Sequence, residues 1–315
     1  MSARAIPLID LHVFIDGSPS EQAEFTALLG DAFRNVGFVG VKNHGVSKDL
    51  IDQFYASAKN FFALDTVTKR KYEIGGLAGQ RGYTSFGKEH AKQSEMADLK
   101  EFYQIGQVPA EPTAEAYPDN VVVAETPEFS VLGNQLYKSF EACGGHLLRA
   151  IASYLNLEHD YFDTQIKNGN SILRAIHYPP ISSEPASAIR AEQHEDINLI
   201  TLLVGASAGG LQLLDKDNVW QAIVPGEDEI VVNVGDMLQR LTNNLLRSTT
   251  HRVVNPPKEE WHLPRLSIPF FLHPVSAMDL SCLEDCVTVE NPQDYEPITA
   301  GEYLDERLRE IGLKK

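Results

Sequence analysis

Residues 192–205 read EQHEDINLITLLVG, a histidine among acids set directly in front of a continuous apolar run. The run from Asn198 to Val204 has the length and the Leu, Ile, Thr and Val content of a buried β-strand. Acids at the end of such a strand are costly to bury, so a fold that keeps them there has a use for them. Working outward, runs of the same kind fill the chain from about residue 168 to residue 274: SILRAIHYPP, GLQLLD, VWQAIVP, EIVVNVGD, STTHRVVNP and RLSIPFFLHP. Gly, Pro, Asp and Asn separate them, and helices do not alternate with them. That pattern argues against a doubly wound parallel sheet and for an antiparallel sandwich or barrel. The expected fold is mainly β with flanking helices, around a distorted double-stranded β-helix, or jelly roll.

The flanking sequence reads as helix. SPSEQAEFTALLGDAFRNVG (18–37) has apolar residues at helical spacing, and Ser47 is placed to cap KDLIDQFYASAKNFFAL (48–64). GFVGVKNHGV (37–46) reads as a short strand between them. GGLAGQRGYTSFGKE (75–89) is a glycine-rich loop without the spacing or the Lys-Ser/Thr ending of a phosphate-binding loop. A long helical pattern follows at 126–157, where Gly144 and Gly145 imply close packing or a kink. Thr299 and Glu302 have capping-box spacing at the start of a last helix. With no repeat and no linker, the expectation is one domain over 1–315: a mostly helical region (1–167), the jelly-roll core (168–275) and a C-terminal segment with a helix (276–315).

Composition limits the function. A chain of 315 residues with 43% hydrophobic content can bury a large core. Lys plus Arg total 27 against 44 Asp plus Glu, a formal charge of -17, which repels phosphate backbones and anionic lipid. Nucleic acid and membrane are therefore not expected partners; a small-molecule substrate is, and oligomeric state is open. No apolar stretch approaches the roughly 20 residues that span a bilayer, and a cytoplasmic location is expected. Cys143, Cys282 and Cys286 are too few for a disulfide framework, and CLEDC lacks a second pair to complete a metal site.

The acids in EQHED acquire a use from strand geometry. Residues two apart in an extended segment share a face, so His194 and Asp196 project together while Glu195 points away. They offer one nitrogen and one oxygen to a metal, and His251 in the later run STTHRVV supplies a second imidazole. Two His and one carboxylate make the facial triad of non-haem Fe(II) oxygenases. A His-x-Asp triplet is common by chance, so the case needs a third element. Arg265 and Ser267 in RLSIPFF also share a face, where a guanidinium and a hydroxyl hold a carboxylate; an edge-strand surface salt bridge is the plain alternative.

In these segments, and in their order, the sequence resembles the isopenicillin N synthase-like family of Fe(II)/2-oxoglutarate-dependent oxygenases. IPLIDL resembles its opening strand, GFVGVKNHGV its Asn-His-Gly segment, DLKEFYQIG its Asp-x-Lys-Glu strand and HYPP its Tyr-Pro-Pro turn. VNVGDMLQRLTNNLLRSTTHRVV resembles the stretch leading to its distal iron-binding His, and RLSIPFFLHP its Arg-x-Ser strand. The resemblance implies Fe(II) on His194, Asp196 and His251, and the distal carboxylate of 2-oxoglutarate on Arg265, Ser267 and Tyr178. It also suggests Arg81, beside Gly82 and Tyr83, as a contact to substrate. Two positions depart from the family pattern: Ile176 stands where Asn is usual, and Glu195 where Thr or Ser is usual.

The activity so implied is a dioxygenase that takes O2 and 2-oxoglutarate, releases succinate and CO2, and oxidises a small molecule, by hydroxylation in the default case. The substrate envisaged is an amino acid or another carboxylate. Two alternatives stay open from sequence: an oxidase of the isopenicillin N synthase type that uses O2 without a 2-oxo acid, and a non-catalytic metal-binding barrel or ligand sensor. Among the other histidines, His44 is expected to support a turn, His177 to face outward, and His262 and His273 to lie near strand ends.

Overall fold

The computed structural model describes residues 6–77, 79–89, 97–109, 113, 115–185, 188–205 and 207–310. In chain order the elements begin with β1 (Leu8–Asp10), α1 (Leu11–Asp16), α2 (Pro19–Asn35), β2 (Phe38–Lys42), α3 (Lys48–Phe62) and α4 (Thr66–Arg70). Next come β3 (Gly82–Thr84), β4 (Glu101–Gly106), α5 (Pro127–Tyr154), α6 (Asp163–Ile166), β5 (Ile172–Tyr178), β6 (Ala191–His194) and β7 (Ile200–Val204). The chain continues through β8 (Leu211–Leu214), β9 (Trp220–Ala222), β10 (Ile230–Val234), α7 (Asp236–Leu241), β11 (His251–Val253), β12 (Arg265–Leu272) and α8 (Ala300–Glu310).

Among the described residues the strands form two sheets. One has the order β1-β2-β10-β7-β12-β5-β4-β3, the other β6-β11-β8-β9. All neighbours are antiparallel except β1 and β2. The two sheets close on each other through Phe38, Phe102, Ile176 and Val231 from the large one and Ala191, Leu213 and Val253 from the small one. This is the jelly roll expected from the run of short strands. The larger core lies on the other face of the big sheet, where α2, α3 and α5 pack.

The runs read as strands between residues 171 and 274 are strands. Three features go beyond what periodicity alone shows. The first half contributes strands to both edges of the large sheet, β1 and β2 on one side and β3 and β4 on the other. β1 and β3 have 3 residues each, too few to show a period. β6 was hidden because it is polar, AEQH, one face being spent on the site.

The helix starts follow their sequence signals. Ser47 Oγ accepts from Leu50 N, and Thr299 with Glu302 forms the capping box. Helix α5 runs unbroken for 28 residues through both glycines. Gly144 permits close packing: a Cβ there would lie 3.2 Å from Leu272 and 3.5 Å from Leu202. Among the described residues no helix is long and apolar enough to cross a membrane.

Candidate active site

β6 and β11 pair so that His194 and His251 stand directly opposite each other. Their rings are 4.5 Å apart, and Asp196, in the bend after β6, turns back toward both. Asp196 Oδ1 lies 4.0 Å from His194 Nε2 and 3.9 Å from His251 Nε2. The three donor atoms fall within 4.8 Å of one another.

The backbone orients each donor. His194 Nδ1 lies 2.6 Å from Glu192 O and His251 Nδ1 lies 3.1 Å from Thr249 O. A carbonyl only accepts, so each Nδ1 carries the proton and each Nε2 presents a lone pair to the cluster. Asp196 Oδ2 accepts from Thr201 Oγ1 at 2.6 Å and Asn233 Nδ2 at 2.9 Å, which leaves Oδ1 to face the imidazoles. Burial lowers the His194 pKa, and the neighbouring His251 lowers it further. Burial would raise the Asp196 carboxyl, but the two histidines and these hydrogen bonds hold it below the ordinary range. An Nε2 lone pair on each ring beside a carboxylate held in its ionised form is the donor set a divalent ion needs.

This cluster opens into a cavity of about 620 Å³ between the two sheets. Arg265, Ser267 and Tyr178 line the same cavity. Arg265 is 1% exposed; its Nε donates to Ala208 O at 3.1 Å, while Nη1 is buried without a partner. An unpaired guanidinium nitrogen in a buried pocket is a vacant position for an anionic ligand. Ser267 sits two residues along β12 on the same face, and Ile176 lies opposite it, adding apolar wall where an amide was usual in the resemblance. The residues present therefore fit both an Fe(II) ion and the carboxylate of a 2-oxo acid.

Several side chains fall elsewhere than expected. Arg81 is not among the described residues that line the cavity. It is 1% exposed, its guanidinium fills the space a side chain would take at Gly106, and its Nε and Nη2 have no partner. A loop position gives no alternation from which to read direction, so the assignment of Arg81 to substrate is not carried by the geometry. His177 does not face outward. Its Nδ1 is 2.8 Å from Glu101, which also takes Lys69 and Tyr83, and its ring stacks on Phe62. His273 lies just past the end of β12, as expected, and is buried in the cavity wall. His44 behaves as expected: its Nδ1 accepts from Val46 N at 3.2 Å across a turn. Glu195 faces away from the cluster and accepts from Thr250 Oγ1.

Sequence reading missed a second set of cavity residues. Glu89, Asp98, Lys100 and Arg174 come from three separate segments and form one ion-pair group on the wall. Burial would raise Glu89, but Arg174 and Lys100 beside it hold the carboxyl down at about 2. The signal available was Asp98 and Lys100 sharing a face at the start of a strand. From the C-terminal helix α8, Leu304, Arg307 and Leu308 also line the cavity. Its Tyr303 hydroxyl donates to Asp236 Oδ2 at 3.1 Å; burial, with Glu195 nearby, raises that carboxyl to about 6.

Residues 6–125 match the family described as non-haem dioxygenase in morphine synthesis N-terminal, and residues 169–274 match the 2OG-Fe(II) oxygenase superfamily. A crystal structure of a putative 2OG-Fe(II) oxygenase family protein from Caulobacter crescentus is 45% identical, with a TM-score of 0.88, over 98% of this chain and 100% of that one. A full-length Neurospora crassa protein, crystallised with alpha-KG (2-oxoglutarate) and thymine, is 32% identical over 96% of each chain, with a TM-score of 0.85. The 2-oxoglutarate-dependent dioxygenase htyE of Aspergillus rugulosus is 31% identical over 96% of this chain and 98% of its own length. Likeness of this extent, over a fold and donor set of this kind, makes the chain a member of the 2OG-Fe(II) oxygenase superfamily.

Proposed function

We propose that His194, Asp196 and His251 hold one Fe(II), that Arg265, Ser267 and Tyr178 hold the distal carboxylate of 2-oxoglutarate, and that the chain uses O2 to oxidise a small molecule between them. Hydroxylation with release of succinate and CO2 is the default outcome. The observation that carries this reading is that one cavity joins a two-His, one-carboxylate cluster to a buried guanidinium with an unmet nitrogen. Bound Fe(II) supplies the redox chemistry that couples O2 to decarboxylation of the 2-oxo acid and to C–H oxidation.

The chain's own residues do the rest. Thr201 and Asn233 fix which oxygen of Asp196 faces the metal. The carbonyls of Glu192 and Thr249 keep both imidazoles in the tautomer that ligates. Arg265 aligns the cosubstrate by its far end, so that positioning costs little entropy at the reaction step. Leu304 and Leu308 of α8 add apolar wall to the cavity, a lining that disfavours water. The binding of alpha-KG and thymine by the Neurospora crassa relative supports a small-molecule substrate here. The acidic surface supports a reading without nucleic acid or membrane partners, in the cytoplasm.

The test is anaerobic titration of the Fe(II) protein with 2-oxoglutarate, followed by the visible charge-transfer band of a chelated 2-oxo acid, then a substrate screen read by succinate. A saturable band and substrate-coupled succinate are expected. No band at millimolar 2-oxoglutarate, together with O2 consumption on a substrate, would replace the dioxygenase by an oxidase that needs no 2-oxo acid.

A further inference from the structure

The alternation that brings Arg265 and Ser267 to the cavity continues just past the end of β12 to His273, and from Tyr178 back just past the start of β5 to Asn170. Backbone contacts tie these two far ends together. Asn170 N donates to Pro274 O at 3.1 Å, His273 N donates to Ser171 Oγ at 3.1 Å, and Ser171 Oγ donates to His273 O at 3.2 Å. Gly169 permits the approach, since a Cβ there would lie 2.2 Å from the His273 carbonyl.

Asn170 is 9% exposed and His273 8% exposed, and both line the cavity. Yet Asn170 Oδ1 and His273 Nδ1 are buried with no hydrogen-bond partner. An unmet buried polar atom is costly, so two of them on adjoining backbone segments of one cavity wall are groups that a ligand completes. Burial pushes the His273 ring down to about 4, so at neutral pH it offers one donor and one acceptor. The Asn170 amide likewise offers both.

The charges around them are already matched. Lys100 pairs with Asp98 at 2.6 Å and Glu89 at 2.8 Å, and Arg174 pairs with Glu89 at 3.2 Å. Two buried cations thus face two buried acids. Arg307 pairs with Glu310. Among the described residues lining the cavity, Arg265 is the cation without an acidic partner, and the proposed function assigns it to 2-oxoglutarate. A substrate carboxylate would have to break one of these buried pairs or remain uncompensated, and either is costly.

We propose that Asn170 and His273 are the substrate-recognition pair of this cavity. They select an uncharged substrate with an amide-type donor and acceptor side by side, as in a lactam, a ureide or a primary carboxamide, over a carboxylate of similar size. The proposal rests on the reading of the site as an Fe(II) and 2-oxoglutarate centre, and it replaces the carboxylate substrate expected from sequence.

The test uses the full chain loaded anaerobically with Mn(II), titrated first with 2-oxoglutarate and then, by calorimetry, with two matched pairs: uracil against orotate and 2-pyrrolidinone against L-proline. The neutral member of at least one pair binds about tenfold or more tighter than its carboxylate partner. Asn170→Leu and His273→Phe each weaken the neutral probe about tenfold or more, leave 2-oxoglutarate affinity unchanged and do not lower Tm, because an apolar group replaces an unmet polar one. If Asn170→Leu does not fold, Asn170→Ala carries the same comparison. Orotate and proline binding as tightly as their neutral partners, or neither neutral probe binding at millimolar concentration, overturns the proposal. So does a fall in Tm with probe affinity unchanged, which would make the pair structural. Failure of the first titration, with no 2-oxoglutarate bound to the Mn(II) protein, would instead overturn the reading of the centre and this proposal with it.

Discussion

Arg265 lies directly opposite Tyr178 in the register of β12 and β5, with its guanidinium carbon 5.0 Å from the centre of the phenol ring. The ring face and the Nε bond to Ala208 O hold the guanidinium in one orientation, so Nη1 points at a ligand position without further ordering. Removing one partner of a buried charge-assisted pair costs roughly 3–5 kcal/mol. Arg265→Ala should therefore weaken 2-oxoglutarate binding by at least about a hundredfold, at about 1.4 kcal/mol per factor of ten. Arg265→Lys should recover part of this, lacking the planar fork. Anaerobic titration of the Fe(II) protein measures it, and near-normal affinity in Arg265→Ala would remove Arg265 from the cosubstrate site.

The metal cluster depends on Asn233 as well as on its three donors. Asn233 Nδ2 reaches Asp196 Oδ2 at 2.9 Å from the neighbouring part of β10, and Thr201 binds the same oxygen from β7. Loss of an outer hydrogen bond of this kind typically costs roughly 10- to 100-fold in metal affinity. Asn233→Ala is expected to weaken Fe(II) or Mn(II) binding by about that much while the fold persists, whereas Asp196→Ala should abolish turnover. Metal titration with circular dichroism as the folding control separates the two effects. Unaltered affinity in Asn233→Ala would mean that Thr201 alone sets the carboxylate.

What could be read from sequence was what a strand period controls. His194 with Asp196, and Arg265 with Ser267, share faces because they are two apart, and the structure keeps both pairings on the cavity wall. That His251 stands opposite His194 is a matter of register between β6 and β11, which no local pattern states. The sequence offered His251 as a second imidazole in a later β run, and the resemblance assigned it to iron, but neither gave the register. Glu89, Lys100 and Arg174 meet from a loop, from the residue before β4 and from β5, and Asn170 meets His273 beyond the paired ends of β5 and β12, so neither group has a sequence spacing. Asn233 did leave a trace, as one polar residue in the apolar run VVNV, and the same trace marks Thr201 in β7. Proximity in sequence to a Gly-Tyr pair says nothing about where a loop side chain packs, so for Arg81 no direction could be read.

Arg81 gives a separate test of that point. Its guanidinium is buried against Gly106 with two nitrogens unmet, and burial lowers its pKa. A charge in that position costs stability, since its partner in water has not been replaced. Arg81→Met keeps the stem and removes the charge, and it should be neutral or stabilising by about 1 kcal/mol, with KM for substrate and for 2-oxoglutarate unchanged. Thermal unfolding and steady-state kinetics suffice. A large rise in substrate KM without loss of stability would return Arg81 to the substrate site.

His273 predicts how stability varies with pH. Burial holds its folded pKa at about 4, below the ordinary value of 6.5. Between those values the unfolded chain binds a proton that the folded chain does not, so the stability of the metal-free protein rises with pH across that window. Above about pH 6.5 both states are neutral and the contribution is flat; below about pH 4 both are protonated and the loss is complete. The full loss is at most about 3.4 kcal/mol, at about 1.36 kcal/mol for each pH unit between the two values. Glu89, held at about 2, adds a loss at lower pH, as its stabilising charge is neutralised from about 4.5 downward. His273→Phe removes the first part and leaves the second. Urea unfolding of the metal-free protein between about pH 4 and pH 8 should thus show a shallower fall below about pH 6.5 in His273→Phe than in the parent chain. Identical slopes in the two proteins would mean that the ring takes up its proton in the folded state as readily as in water.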